Sequence, residues 1–242
     1  VPVTLAHPAA VLPLRALGLP LSALVIGSMA PDLPVFSRSW GFYDFTHSAA
    51  GVVTVDLALT LLLLVLWDRW GRDALVDTSP ALARDRLPRH ARLSRRSWLL
   101  APLAAVVGSI THVVWDAFTH AGRWGVRMVP WLQEVHGSMR GQQWAQDVSG
   151  VVGLTIVGLA ILAVVRRPVL PDAGRPRRLP AATLPVAVAG ACGLSVLTFA
   201  ARLGTDFQSD AFYAAVVGIV SLGLALAAVT LAWVAVSDRV AP

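Results

Sequence analysis

The sequence predicts an all-α integral membrane protein: about five transmembrane helices and a broken N-terminal helical hairpin, re-entrant or interfacial. Composition is the first sign. Of the 242 residues, 56% are hydrophobic and 14% charged, against roughly 45–50% and about 25% in soluble domains. Mean hydropathy is the second, at +0.65. The third is that five stretches approach the roughly 20 mostly apolar residues needed to cross a bilayer. Together these exclude an ordinary soluble globule and a disordered chain, and point to a single membrane domain over residues 1–242.

The first element is the least regular. Residues 9–30, AAVLPLRALGLPLSALVIGSMA, are long enough to span, but Pro13, Arg15, Gly18 and Pro20 interrupt them. We read two short helices with a break near Gly18 to Pro20. Broken backbone at membrane depth needs protein or a water-filled cavity around it, so this segment is expected to wall a site. No basic stretch precedes it, which argues against a cleavable signal peptide. The expected spans then follow in order: 49–67, with LALTLLLLVLW; 98–119, opening WLLAPLAAVVGSI; 148–165; 181–201; and 212–236. Residues 1–131 carry the motifs, and 148–236 supply three further spans.

Charge sets the expected orientation. All 20 basic residues are arginine. Residues 68–97 hold eight of them and residues 166–180 five, whereas 120–147 hold only Arg123, Arg127 and Arg140. The positive-inside rule makes the two rich loops cytoplasmic, with the C-terminus and its Arg239. Trp67, Trp70 and Trp98 then mark the inner boundary, and Trp40, Trp124, Trp131 and Trp144 the outer one. The pI near 11.1 is read as loop charge in a plasma-membrane protein, with no nucleic-acid partner. Arg84, Arg86, Arg89 and Arg92 are expected to contact anionic lipid, each contributing about 1 kcal/mol. A single cysteine, Cys192, leaves no disulfide framework or thiolate metal cage within one chain.

The chemistry-bearing residues gather on the outer side of this topology. In THVVWDAFTHAGRWG (residues 111–125), His112 and Asp116 are one turn apart on one helical face, a natural pair of metal ligands. His120 falls in the last turn, as a further site residue or as a cap complementing the helix dipole, and Gly122 is expected to end the helix. Asp32 sits in GSMAPDLP, where Pro31 and Pro34 hold the backbone off helical geometry. His47 sits in FTHS at the start of the first span, and His7 precedes Pro8. Singly, each reads as a turn, interfacial or pre-helical residue. Jointly they are three histidines and two aspartates from separate segments on one side, and ionisable residues at membrane depth are functional by default. Asp44 and His120 are expected at the rim, and His136 outside the cluster. Asp56, inside the first span, is expected to be protonated or paired, with Arg15 as the candidate partner.

These residues carry a resemblance. TLAHPAAVLPLR, ALVIGSMAPDLP, FTHS and GSITHVVWDAFTHAGRWGVRMVPW, within about residues 4–131, resemble the bacterial membrane family known as domain of unknown function 4184. More distantly the pattern is similar to inner-membrane metal-dependent hydrolases and to zinc-dependent phospholipase C-like proteins. It departs from the hydrolases at Pro34, where an aspartate is common, and around Tyr43, Asp44 and Phe45. The resemblance implies His7, Asp32, His47, His112 and Asp116 as metal ligands. Zinc is the expected ion, lowering the pKa of a water toward about 7 to make a nucleophile. Asp116 or Asp32 serves as ligand or general base. The expected function is hydrolysis at the outer leaflet boundary, with a phosphate-containing lipid as candidate substrate and Arg123 or Arg127 as candidate anion contacts. A transporter or ion pathway, or a scaffold with a structural metal, are the alternatives.

Overall fold

The structure, a computed structural model, describes residues 4–204 and 206–240, with side chains through residue 236. Arg239, expected on the cytoplasmic side, lies outside those side chains. Five helices are long and apolar enough to cross a membrane: α1 (Ala49–Thr78), α2 (Arg95–Thr119), α3 (Gly141–Val165), α4 (Thr183–Arg202) and α5 (Phe207–Val236). The chain is therefore a multi-pass, all-α membrane protein. Among the described residues the only sheet is a two-residue pairing of Val135–His136 with Met139–Arg140. Gly137, at φ +70°, makes its turn.

α1 runs past its expected end at residue 67. It contains two π-helical turns, Val52–Asp56 and Trp67–Gly71, and stops only where Ser79 turns extended before Pro80. α2 starts at Ser94, whose hydroxyl accepts from the Ser97 amide at 3.1 Å, the usual means of satisfying a free N-terminal donor. It ends at Thr119, and Gly122, at φ +76°, lies in the following turn.

The described residues form two compact units. One comprises residues 4–64 and 93–159. Here the N-terminal segment is broken as expected, into Pro8–Val11, Pro13–Leu17, Leu21–Gly27, Ala30–Asp32 and Leu33–Phe36. It runs out and back along α2. His7 stacks on His112, while Gly18, in the left-handed region at φ +75°, lies against Arg96. Those helix positions are about 24 Å apart at 1.5 Å per residue. Val11, Ala23 and Leu24 bury themselves against Ala101 and Ala104 on the way. Leu21–Gly27 approaches α2 backbone to backbone. A Cβ on Gly108 would meet the Leu24 carbonyl and stand 2.9 Å from the Ser28 nitrogen, and one on Gly27 would stand 2.5 Å from the Ala105 oxygen. Small residues permit such approach between helices in lipid. Gly108→Ala is accordingly expected to destabilise the protein by about 1–3 kcal/mol and to lower metal content. Thermal unfolding and metal analysis in detergent check this; an unchanged variant would show that the contact is slack.

The hairpin overshoots Asp56. Arg15, its expected partner, is exposed near the hairpin tip. Asp56 is fully buried with neither oxygen hydrogen-bonded, as is the hydroxyl of Thr60 one turn on.

The second unit comprises residues 65–92 and 160–240, and corrects the reading of the arginine loops. Arg84 is only 2% exposed. It reaches Asp77 at 3.5 Å and donates to the Arg175 carbonyl at 2.7 Å. Asp77 also accepts from the Arg178 amide at 2.9 Å and the Trp233 indole at 3.1 Å. One turn earlier Asp73 binds Arg72, His90 and Arg92 at 2.7–2.9 Å. Two buried carboxylates on α1 demand cations, so Arg84 is drawn inside the loop, away from lipid, and Arg92 is tied to Asp73 while its side chain stays 43% exposed. Arg89 stays exposed.

Candidate metal centre

Three segments meet at the far end of α2. The Thr46 hydroxyl donates to the Pro31 carbonyl at 2.8 Å, tying FTHS to the Pro-Asp turn. The Ser109 hydroxyl donates to the Gly27 carbonyl at 3.1 Å, tying that turn's helix to α2. Ser48 caps α1, its hydroxyl accepting from the Gly51 amide at 3.1 Å.

A ligand atom from each of Asp32, His47, His112 and Asp116 lies within 4.8 Å of the other three, and all four residues are buried. His112 Nε2 stands 3.4 Å from Asp32 Oδ1 and 3.5 Å from Asp116 Oδ2. His47 Nε2 stands 3.4 Å from the same Asp116 oxygen and 3.9 Å from Asp32 Oδ1. A tetrahedral shell with bonds of about 2.0–2.1 Å separates its donors by about 3.3–3.4 Å, so the residues fit a zinc-sized ion.

The imidazoles are held in place by main-chain carbonyls. His112 Nδ1 donates to the Ser28 carbonyl at 2.8 Å and His47 Nδ1 to the Tyr43 carbonyl at 2.9 Å. Each Nε2 then faces the carboxylates, buried and without a hydrogen-bond partner. Fixing the second ring nitrogen in this way is the habit of metal-binding histidines. His112 is 0% exposed, and its Nε2 meets the two carboxylates, at 3.4 and 3.5 Å.

His7 is brought to the cluster but stands outside that group of four. Its ring lies nearly parallel to His112, centroids 3.9 Å apart, which aims Nε2 at the other Asp116 oxygen, Oδ1, at 3.5 Å. Burial, then the adjacent His112, push His7 down to about 3, so it is neutral at neutral pH. His120, the C-cap of α2, reaches Asp116 Oδ1 at 3.4 Å through Nδ1. Its Nε2 is 3.2 Å from the Gln146 amide nitrogen. Burial lowers its pKa, against the pull of Asp116. Its side chain is 33% exposed, which puts it at the rim. Asp44 is exposed and paired with Arg123. His136 lies apart, stacked on Trp131.

Two participants escaped the sequence reading. The Thr4 hydroxyl donates to Asp32 Oδ2. Burial works to raise the Asp32 pKa, but His112 and Thr4 outweigh it and hold the carboxyl below its usual range. The Tyr43 hydroxyl lies 3.4 Å from Asp116 Oδ2 and its ring packs on His47. Burial, then the Asp116 and Asp32 charges, raise its pKa, keeping the phenol a donor. Tyr43 precedes His47 by one helical turn, and that spacing was the available signal.

No curated protein and no solved structure matches the chain. Every residue of the cluster falls inside a region, residues 1–236, that matches the family described as "Domain of unknown function (DUF4184)", and the chain belongs to that family.

Proposed function

We propose that the protein is a metal-dependent hydrolase of the plasma membrane, acting on a lipid at the outer leaflet boundary. Asp32, His47, His112 and Asp116 would hold the ion. Two imidazoles with two carboxylates suit zinc. Bound there, the ion supplies Lewis acidity and lowers the pKa of a water toward about 7.

The second oxygen of Asp116 carries this reading. Asp116 offers Oδ2 to the ligand group, while Oδ1 is buried without a hydrogen-bond partner, with His7 and His120 at 3.5 and 3.4 Å. The second oxygen of Asp32 is already taken by Thr4. Asp116 is thus the carboxylate with an acceptor to spare, and we assign it the general-base role. His120, half in the site and half at the rim, exchanges the proton with solvent. Support for a lipid boundary comes from Trp40, Phe42, Phe45, Trp124 and Trp131, all exposed on segments flanking the ligands, as an interfacial belt would be. The arginine bias favours the outer face.

A second reading has its own observation. Four buried residues with ligand atoms within 4.8 Å of one another would fill a tetrahedral shell and leave no position for a water, which is how structural zinc sites are made. The test uses the chain in lipid nanodiscs with measured metal content and a panel of ester lipids. The hydrolase reading expects turnover by wild type. It also expects His120→Gln to retain metal while kcat falls about 100-fold, the lower end for lost acid–base assistance. A structural metal expects full loading, no turnover by any form, and a lower melting temperature on chelation.

A further inference from the structure

Arg123 and Arg127 both follow the α2 motif, yet the structure uses them differently. Arg127 turns back on its own loop and donates to the Gly122 carbonyl. Arg123 extends over Tyr43, its guanidinium carbon 5.3 Å from the centre of that ring. The hydroxyl of that ring reaches the ligand oxygen Asp116 Oδ2 at 3.4 Å. The anion on Arg123 is Asp44 Oδ1 at 3.1 Å, from a side chain 86% exposed. Ion pairs this exposed are weak, so a better-placed anion would displace Asp44 at little cost.

We propose that Arg123 and Tyr43 form a phosphate subsite beside the metal centre, and that Asp44 occupies it as a displaceable placeholder. This deepens the hydrolase reading and rests on it for the substrate's orientation. The ligand chemistry follows from the number of contacts to be made at once. A guanidinium fork takes two oxygens of one anion, the Tyr43 hydroxyl, its single proton turned from the long 3.4 Å contact with Asp116, donates to another, and the group must still face Asp116. A tetrahedral phosphate has enough oxygens to do so; a planar carboxylate has two, which the fork alone consumes. Arg123 follows Gly122, whose φ of +76° sets the turn that delivers it.

The test is binding, so it does not depend on turnover. The full chain in detergent, with its metal content measured, is titrated with inorganic phosphate by calorimetry. Arg123→Gln should weaken binding at least tenfold, Arg123→Lys less, and Tyr43→Phe a few-fold, with metal content unchanged. Asp44→Asn should strengthen binding a few-fold, because it removes the competitor; a merely structural Asp44–Arg123 pair would not give that sign. Acetate should bind far more weakly than phosphate. A short-chain phosphatidic acid that binds much tighter than inorganic phosphate identifies a lipid headgroup as the source, and equal binding identifies free phosphate. No phosphate binding by wild type, unchanged binding in Arg123→Gln, or weaker binding in Asp44→Asn overturns the subsite. Phosphate binding without hydrolysis of any ester leaves the subsite standing and removes the hydrolase.

Discussion

His112→Ala is expected to strip the bound metal, taking stoichiometry from near one per chain to near zero after gel filtration at equal protein concentration. Structural zinc sites bind with about 10–16 kcal/mol. Divided among four ligands, one ligand is worth about 2.5–4 kcal/mol, or about two to three powers of ten in affinity. His112 should sit at the top of that range. It is fully buried, it faces both carboxylates, and its loss leaves the Ser28 carbonyl without its donor. His136→Ala, whose half-buried ring contacts only Trp131 of its own loop, is the matched control and should retain metal. Full metal content in His112→Ala would end the four-ligand site, and the hydrolase reading with it.

The second large effect lies in the other unit and should leave the metal untouched. Asp77→Ala removes the carboxylate that faces Arg84, the Arg178 amide and the Trp233 indole. Breaking a buried ion pair costs about 3–5 kcal/mol, and among the described residues Arg84 keeps only Asp85 as an anion, at 3.4 Å, so the loss should fall at the lower end of that range. We expect a large fall in denaturation midpoint with metal stoichiometry unchanged. Arg89→Ala, at an exposed position, should shift the midpoint little. If Asp77→Ala is as stable as wild type, the loop is not organised by its buried carboxylates. If it loses metal while folded, the two units are coupled.

The contrast between the two units shows what was legible in the sequence. Helices declare themselves by apolar length, so all five spans were readable. The end of α1 was not, because Asp68, Arg72, Asp73 and Asp77 look like loop. They are tolerable in a helix because donors far along the chain, the Arg92 guanidinium and the Arg178 backbone amide among them, come back to meet them. Such pairing is invisible without tertiary structure. In the site, His112 and Asp116 were legible because one helical turn fixes their relation. Asp32 and His47 were legible as chemistry out of place, in a proline-held turn and at a span boundary. Convergence was the step the sequence supplied only through topology. The place of His7, stacked on His112 rather than among the four, depends on the path of a hairpin whose tip reaches Arg96. That same path separated Arg15 from Asp56.

The rings of His47 and His112 are aimed by main-chain carbonyls, those of Tyr43 and Ser28. A carbonyl belongs to every residue type, so this aim cannot be altered by exchanging the side chain that carries it. Tyr43→Phe and Ser28→Ala should therefore leave both imidazoles oriented as they are. The site is in this respect tolerant of genetic drift at the very positions that orient it. Its vulnerability is displaced onto residues that move backbone, such as Gly27 and Gly108, which hold no ligand at all. In a saturation library scored for bound zinc, the sensitive positions should be the ligands themselves and these remote glycines. Tyr43→Phe and Ser28→Ala, which keep those carbonyls and add no bulk, should retain zinc.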